Sequence, residues 1–390
     1  MRSDSILERA LTRRRFIAAS AITAGAAAVT LGIGPCDPRL IRKAQQDNDA
    51  ALAPHHTVWV WQFSADGTLA AIANALQGKG IGVVLKTHDG IEWMSTYDTA
   101  PDAITGVDRV RAVAKYFEDR GIPFHAWAVP KGIDPPREAQ MAADVLAAGA
   151  RSLVLDLEGS SGFWVGNPDD ARHYGDELRR LSPYGRVDIS IDPRPWRINL
   201  VPMTEFVAMS DGIWPQLYWD TFDTPGNIES YTAAGYAPPG GNITPEFLLE
   251  ATQKILKPYE REVIPVGQGA AADPATWARF AHHAWDLKMY AISDWRFGVT
   301  AATTVNYLSD NPPGQEPKAP PATPTPSATP TANKTGTRTP TSTKTPQGTG
   351  TPTRTPTPTG TSAPSTATNT PTPSLTATRT ATGTATPIGP

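Results

Sequence analysis

Residues Ser152 to Gly159 read SLVLDLEG, an apolar run ending in two acids two positions apart, Asp156 and Glu158. Side chains two apart on a strand share a face. Both carboxyls therefore emerge on one side, where they cost free energy unless something uses or neutralises them. A carboxyl kept protonated by burial or by a like charge beside it can protonate a leaving oxygen. Cleavage of a glycosidic bond also needs a second group to stabilise or attack the developing cation. Two carboxyls this close on one strand do not make the usual pair on opposite faces of a sugar. Glu158 reads as the acid and Asp156 as its helper. The second group then comes from elsewhere: an N-acetyl group of the substrate, positioned by Asp156 and Tyr218, or one of Asp192, Asp220 and Asp294. The competing reading of the pair is a structural ion pair with Arg or Lys.

The elements that would position these residues alternate regularly. Short apolar runs predict strands at Val58–Phe63, Ile81–Leu85, Phe124–Val129, Ser152–Glu158, Val187–Ile191, Gly212–Trp219, Val263–Gly267 and Met289–Ser293. Amphipathic periodicity predicts helices between them: Thr68–Gln77, Val107–Asp119, Arg137–Ala148, Asp169–Leu181, Thr204–Met209, Pro245–Lys257, Pro274–Asp286 and Thr300–Leu308. Asp273-Pro274 has the form of an N-cap followed by an N1 proline, and Gly121 and Gly149 stand where C-caps belong. Eight strands alternating with eight helices over residues 54–311 predict an α/β fold, a (β/α)8 TIM barrel. The rival, an open doubly wound sheet, usually carries a Gly-rich loop after its first strand, and Phe63-Ser64-Ala65-Asp66-Gly67 is not one.

The predicted strand ends gather aromatic, amide and acid side chains. These are Trp61 and Gln62 on strand one, Trp127 on strand three, Asp192 after strand five, Gln216, Tyr218, Trp219 and Asp220 on strand six, and Asp294 and Trp295 on strand eight. Aromatic faces stack on pyranose rings while amides and carboxylates bind the hydroxyls, so this set predicts saccharide binding. For any single Trp, core packing is the competing explanation. The Gly- and Pro-rich stretch 221–241 predicts a flap with Tyr231 or Tyr236 as a sugar platform, or else an ordinary surface loop. Lys86 ends strand two, where a Schiff-base lysine is conceivable and a salt-bridged one is favoured. His55-His56 and His282-His283 lack metal-site spacing, and no phosphate, dinucleotide or nucleophile-elbow motif occurs, so no metal and no cofactor is expected.

An Asp-x-Glu closing strand four, a Gln-x-Tyr on strand six and a Trp on strand eight resemble chitinase-type (family 18) and lysozyme-type (family 25) glycosidase barrels. The resemblance implies Glu158 as the acid of both patterns and Asp156 as the assisting Asp. It also implies Tyr218 as the strand-six Tyr of the chitinase pattern and Trp295 as the floor of a sugar subsite. Ser152 and Val154 stand where the longer chitinase motif has further acids, and Gln62 lies near the position of the strand-one Asp of the lysozyme pattern.

The chain ends predict location. Arg13-Arg14-Arg15-Phe16 before a small-residue stretch reads as a twin-arginine signal over residues 1–36, followed by a linker at 37–53. Cys36 is the sole cysteine, which rules out an internal disulfide. Pro35 departs from the small residue a lipobox places there, so cleavage is favoured over lipid anchoring. Residues 312–390 are a Thr/Pro-rich low-complexity tail, expected to be disordered and to space the protein from a surface or wall, or to be inert. The chain carries −3; setting aside residues 1–36 (+3) and 317–390 (+6) leaves −12 for residues 37–316. An acidic body argues against nucleic acid as partner. The expectation is an exported, monomeric glycosidase acting on a cell-wall or extracellular polysaccharide. The alternative is a non-catalytic carbohydrate-binding barrel displayed at the cell surface.

Overall fold

The computed structural model describes residues 54–160, 162–270 and 273–318; the expected signal, the linker up to residue 53 and most of the tail lie outside them. Eight strands, β1 (His56–Val60), β2 (Ile81–Asp89), β3 (Phe124–Val129), β4 (Ser152–Leu157), β5 (Arg186–Ile191), β6 (Gly212–Leu217), β7 (Val266–Gln268) and β8 (Ser293–Trp295), pair in parallel in chain order. β8 pairs with β1 (Thr57 opposite Ser293, Val58 opposite Asp294), so the sheet closes into the expected barrel.

Alternation along each strand splits the core. Trp59, Val84, Trp127, Val154, Trp214 and Val266 fill the barrel, while Val58, Val60, Val83, Leu85, Leu153 and Leu155 pack outward under the helices. The helices are α1 (Leu69–Leu76), α2 (Val107–Glu118), α3 (Pro135–Ala147), α4 (Pro168–Leu181), α5 (Met203–Met209), α6 (Pro245–Leu256), α7 (Pro274–Asp286) and α8 (Ala302–Asp310). Their starts follow from local chemistry. Asn167 and Asp170 form a reciprocal capping box on α4, and Asp273 accepts from Thr276 N at the head of α7. Gly121 and Gly149 adopt positive φ (69° and 114°), as helix-terminating glycines do.

Strands one, six, seven and eight differ from their expected bounds, three of them for a reason of backbone pairing. The apolar run at Met289 marks burial, but the ladder of the eighth strand begins only at Ser293, whose N–H donates to Pro265 O (2.9 Å). On the neighbouring segment Glu262–Val263 pairs beside the start of β6; Pro265, lacking an N–H, stands between it and β7. Strand one ends at Val60, because Asp66 Oδ2 takes Trp61 N (2.6 Å) and Asp98 takes Phe63 N (2.7 Å) and Ser64 N (3.1 Å), holding Phe63–Asp66 as a helical turn. Strand six ends at Leu217, and Trp219–Phe222 coils into a short helix.

Buried acids also brace the rim. The Glu138 carboxylate accepts four backbone N–H groups, from Lys131 (2.7 Å), Gly132 (3.1 Å), Ile133 (3.0 Å) and Asp134 (3.2 Å), fixing the loop between β3 and α3 at the barrel mouth. A carboxylate so bonded offsets its own desolvation and leaves the loop few alternatives.

Candidate active site

A cavity of about 370 Å³ opens at the C-terminal end of the barrel, where the ends of the strands and the loops that follow them carry the chemistry of such barrels. Asp156 and Glu158 both line it. They are gathered by Gln216 on β6, whose Nε2 donates to Asp156 Oδ1 (2.9 Å) and stands 3.5 Å from Glu158 Oε1 and 3.3 Å from Ser190 Oγ. Strand register makes this meeting necessary. Asp156 lies opposite Ser190 on β5, and Ser190 opposite Trp214 on β6, so the inward residue one step on, Gln216, faces the pair.

Burial dominates the electrostatics here. It pushes the Asp156 carboxyl up to about 7, with the Glu158 charge adding to the effect and Lys86, Ser190 and Gln216 opposing it. Burial likewise raises Glu158, helped by Asp192 and opposed by the Gln216 amide and Arg197. Tyr218 lines the same cavity and is pushed far above the usual phenol range by burial and by the carboxyls around it, so its hydroxyl stays a donor at working pH.

The floor is indole. Trp59 packs against Trp127, Trp214 and Trp295 with ring centroids 5.3, 5.9 and 5.6 Å away, and Trp127 and Trp295 lie 5.6 Å apart. Trp127 Nε1 is tied to Val60 O (3.0 Å) and Trp59 Nε1 to Ser293 Oγ (2.9 Å), which locks the ring planes. Trp61 stands above them at the rim, 37 % exposed, with the Arg296 guanidinium 5.2 Å from its centroid.

The structure thus brings together Asp156, Glu158, Gln216, Tyr218, Trp61, Trp127 and Trp295. The other sequence candidates stand elsewhere. Asp192 is clamped by Arg194 (2.6 Å) and reached by Arg197 (3.4 Å) in a buried ion pair. Asp294 alternates with the inward-facing Ser293 and Trp295 and so points into the helical layer, beside Gly269 and Thr300. Trp219 is buried against Trp277 and Phe280, with centroids 5.7 and 5.2 Å apart. Asp220 is exposed and bonded by Gln268 (3.0 Å), and Gln62 reaches only Tyr97 O (3.3 Å). Tyr231 is no platform, being fully buried between Trp196 and Phe247, and Tyr236, the other candidate of the 221–241 stretch, is half-buried against the same core. Among the described residues, Asp156 and Glu158 are the only carboxylic acids lining the cavity.

Sequence reasoning did not assign Trp59, Ser190 or Phe163 to the site. Period-two alternation from Trp61 and Asp192 would have found the first two; Phe163 sits in a loop that no pattern marks. Lys86 is salt-bridged, to Asp89 at 2.8 Å. His56 bonds Asn311 O (2.7 Å), and the described residues contain no metal-binding cluster.

No family model and no curated protein matches the chain. Among solved structures it is similar to active domain 2 of a chitinase from Pyrococcus furiosus, studied as catalytic-site mutants (13 % identity over 66 % of this chain and 94 % of that one, TM-score 0.42). It is similar as well to a putative α-L-fucosidase from Bacteroides thetaiotaomicron (10 %, 66 % and 91 %, TM-score 0.44). A dihydrodipicolinate synthase from Rhodopseudomonas palustris is similar too (10 %, 67 % and 74 %, TM-score 0.36), so glycosidases and non-glycosidases alike are found among the matches.

Proposed function

We propose that the chain is a glycoside hydrolase whose second catalytic group is supplied by the substrate. The observation that carries this is the composition of the cavity wall: two carboxyl groups gathered on one amide, a tyrosine hydroxyl, an indole floor, and no third carboxyl lining it. Opposed carboxylates, the common arrangement, are therefore missing from the described residues, and the substrate-assisted scheme needs only one side. In that scheme Glu158 gives its proton to the glycosidic oxygen. The carbonyl oxygen of a substrate N-acetyl group attacks the anomeric carbon as the leaving group departs. Asp156 accepts the acetamide N–H and Tyr218 donates to its oxygen, holding the group in line. Water then opens the cyclic intermediate while Glu158 takes back a proton. Export through residues 1–36 and spacing from a surface by the tail belong to the same reading and rest on their sequence motifs.

The test is release of reducing ends from N-acetylated polysaccharides, chitin and peptidoglycan first, by the wild type, Glu158→Gln and Asp156→Ala. Wild-type release that falls by about 10²-fold or more in Glu158→Gln supports the assignment. Saccharide binding with no release by the wild type defeats it and makes the barrel a carbohydrate-recognition module.

A further inference from the structure

One charged group on the cavity wall tempers the rise of Asp156 but takes no part in the proton transfers of that scheme. Lys86, on β2, lines the cavity with its side chain only 8 % exposed. Its ammonium lies 4.8 Å above the centre of the Trp127 ring, which offers it a π-face but no hydrogen-bond acceptor. Among the described residues its hydrogen-bond acceptor is Asp89 Oδ2, at 2.8 Å. An ammonium has three donors, so two remain to be satisfied in a nearly dry position. Asp89 does not neutralise it alone, because its other oxygen, Oδ1, is ion-paired with Lys131, which also donates to Gly162 O beside the cavity-lining Phe163. Two ammoniums share one carboxylate, leaving this edge of the cavity with one positive charge in excess. The body around it is strongly acidic, at −12 for residues 37–316, so a cation kept inside the cavity is out of keeping with its setting. Register places Lys86 opposite Trp127, and Trp127 opposite Val154, two residues before Asp156; the ammonium and the acid pair thus flank the same indole from neighbouring strands.

We propose that Lys86 is the anion-recognition point of this cavity, and that the saccharide taken there carries a carboxylate on the sugar that lies within reach of its ammonium. The inference rests on the glycosidase reading and narrows it to acidic, N-acetylated glycans. A carboxylate there completes the Lys86 hydrogen bonds and cancels the excess charge through a charge-assisted contact.

The experiment titrates the full chain carrying Glu158→Gln, which keeps the ligand intact, and follows tryptophan fluorescence. Two ligands are compared: a tetrasaccharide alternating N-acetylglucosamine with glucuronate, and the same tetrasaccharide with its carboxyls reduced to alcohols. The acidic form is expected to bind about tenfold tighter or better, the worth of one charge-assisted hydrogen bond. Adding Lys86→Met should bring the ratio of the two affinities close to one, and Lys86→Arg should keep most of it. The ratio is read within one folded protein, so a general loss of stability in the variant does not mimic the result. Equal binding of the two ligands, or a preference that survives Lys86→Met, overturns the inference while leaving the glycosidase reading standing. Binding of neither ligand also overturns the inference, and the glycosidase reading is then decided by release of reducing ends from chitin and peptidoglycan.

Discussion

Gln216 donates its side-chain amide to Asp156 at 2.9 Å, and the same nitrogen lies 3.5 Å from Glu158. A donor shared between a buried and a half-buried acid favours the ionised form of each, so it holds down two pKa values that burial drives up. Replacement by Leu removes that restraint. In Gln216→Leu both carboxyls titrate higher, and Glu158 keeps its proton to higher pH. The alkaline limb of the kcat/KM profile should therefore move upward, by roughly one pH unit. A limb that stays in place, or moves toward acid, shows that Gln216 does not set the proton on Glu158.

Trp61 and Trp127 line the same cavity and should fail in opposite ways. Trp127 is buried, packs on two further indoles and bonds Val60 O, so Trp127→Ala opens a void and should cost about 3–5 kcal/mol of stability. Trp61 is over a third exposed and contacts the Arg296 guanidinium. Trp61→Ala should change stability by no more than about 0.5 kcal/mol and weaken oligosaccharide binding several-fold. Urea denaturation and saccharide titration of the two variants separate platform from core. Equal stability losses would show that both indoles are packing alone.

This contrast also shows what the sequence could disclose. Strand alternation and the spacing of Asp156 from Glu158 are local, so the barrel and the shared face of the two acids could be read from pattern alone. Trp219 and Asp294 were misplaced because facing depends on where a strand stops, and that is set by distant groups. A helix starting at Trp219 turns that indole into the α7 layer, and Asp294, between the inward Ser293 and Trp295, alternates outward. Nothing in the spacing of Asp192 announces that Arg194, two residues on, folds back onto it. Lys86 drew only a general rule about salt-bridged lysines, since its pairing with Asp89 and its seat over Trp127 both depend on the β2–β3 register.

The closeness of β7 to α7 gives a test of the barrel itself. A Cβ added to Gly267 would stand 2.6 Å from Trp277 Cη2 and 3.0 Å from Phe280 Cε1, two buried rings with no room to retreat. Gly267→Ala should destabilise by about 1–3 kcal/mol. Gly226, inside the helix Pro225–Ala233, has open space around it, so Gly226→Ala should be neutral or stabilising by up to about 1 kcal/mol. Thermal melts of the pair check this, and a harmless Gly267→Ala would mean that α7 sits farther from the sheet.

Asp294 gives the clearest dependence of stability on pH. Its side chain is fully buried, and neither oxygen has a hydrogen-bond donor among the described residues. The nearby Thr300 hydroxyl, which bonds Arg296 O (2.8 Å), opposes the cost of that burial only weakly. Burial pushes Asp294 up to about 7, against that small opposing pull. The folded protein therefore holds a proton that the unfolded chain releases near 3.8, the ordinary value for this group. The sign follows from linkage: the favourable contribution of the protonated form is complete below about 3.8 and is lost as pH rises through about 7. Asn has the shape of the protonated acid, no charge to bury, and an N–H that Thr300 Oγ can accept. Asp294→Asn should thus be more stable than the wild type at pH 8, by on the order of 2–4 kcal/mol, and nearly equal to it at pH 4. Urea denaturation of both proteins at the two pH values decides the matter. A stability difference independent of pH would show that Asp294 is charged and compensated in the fold, contrary to its buried, donor-free position.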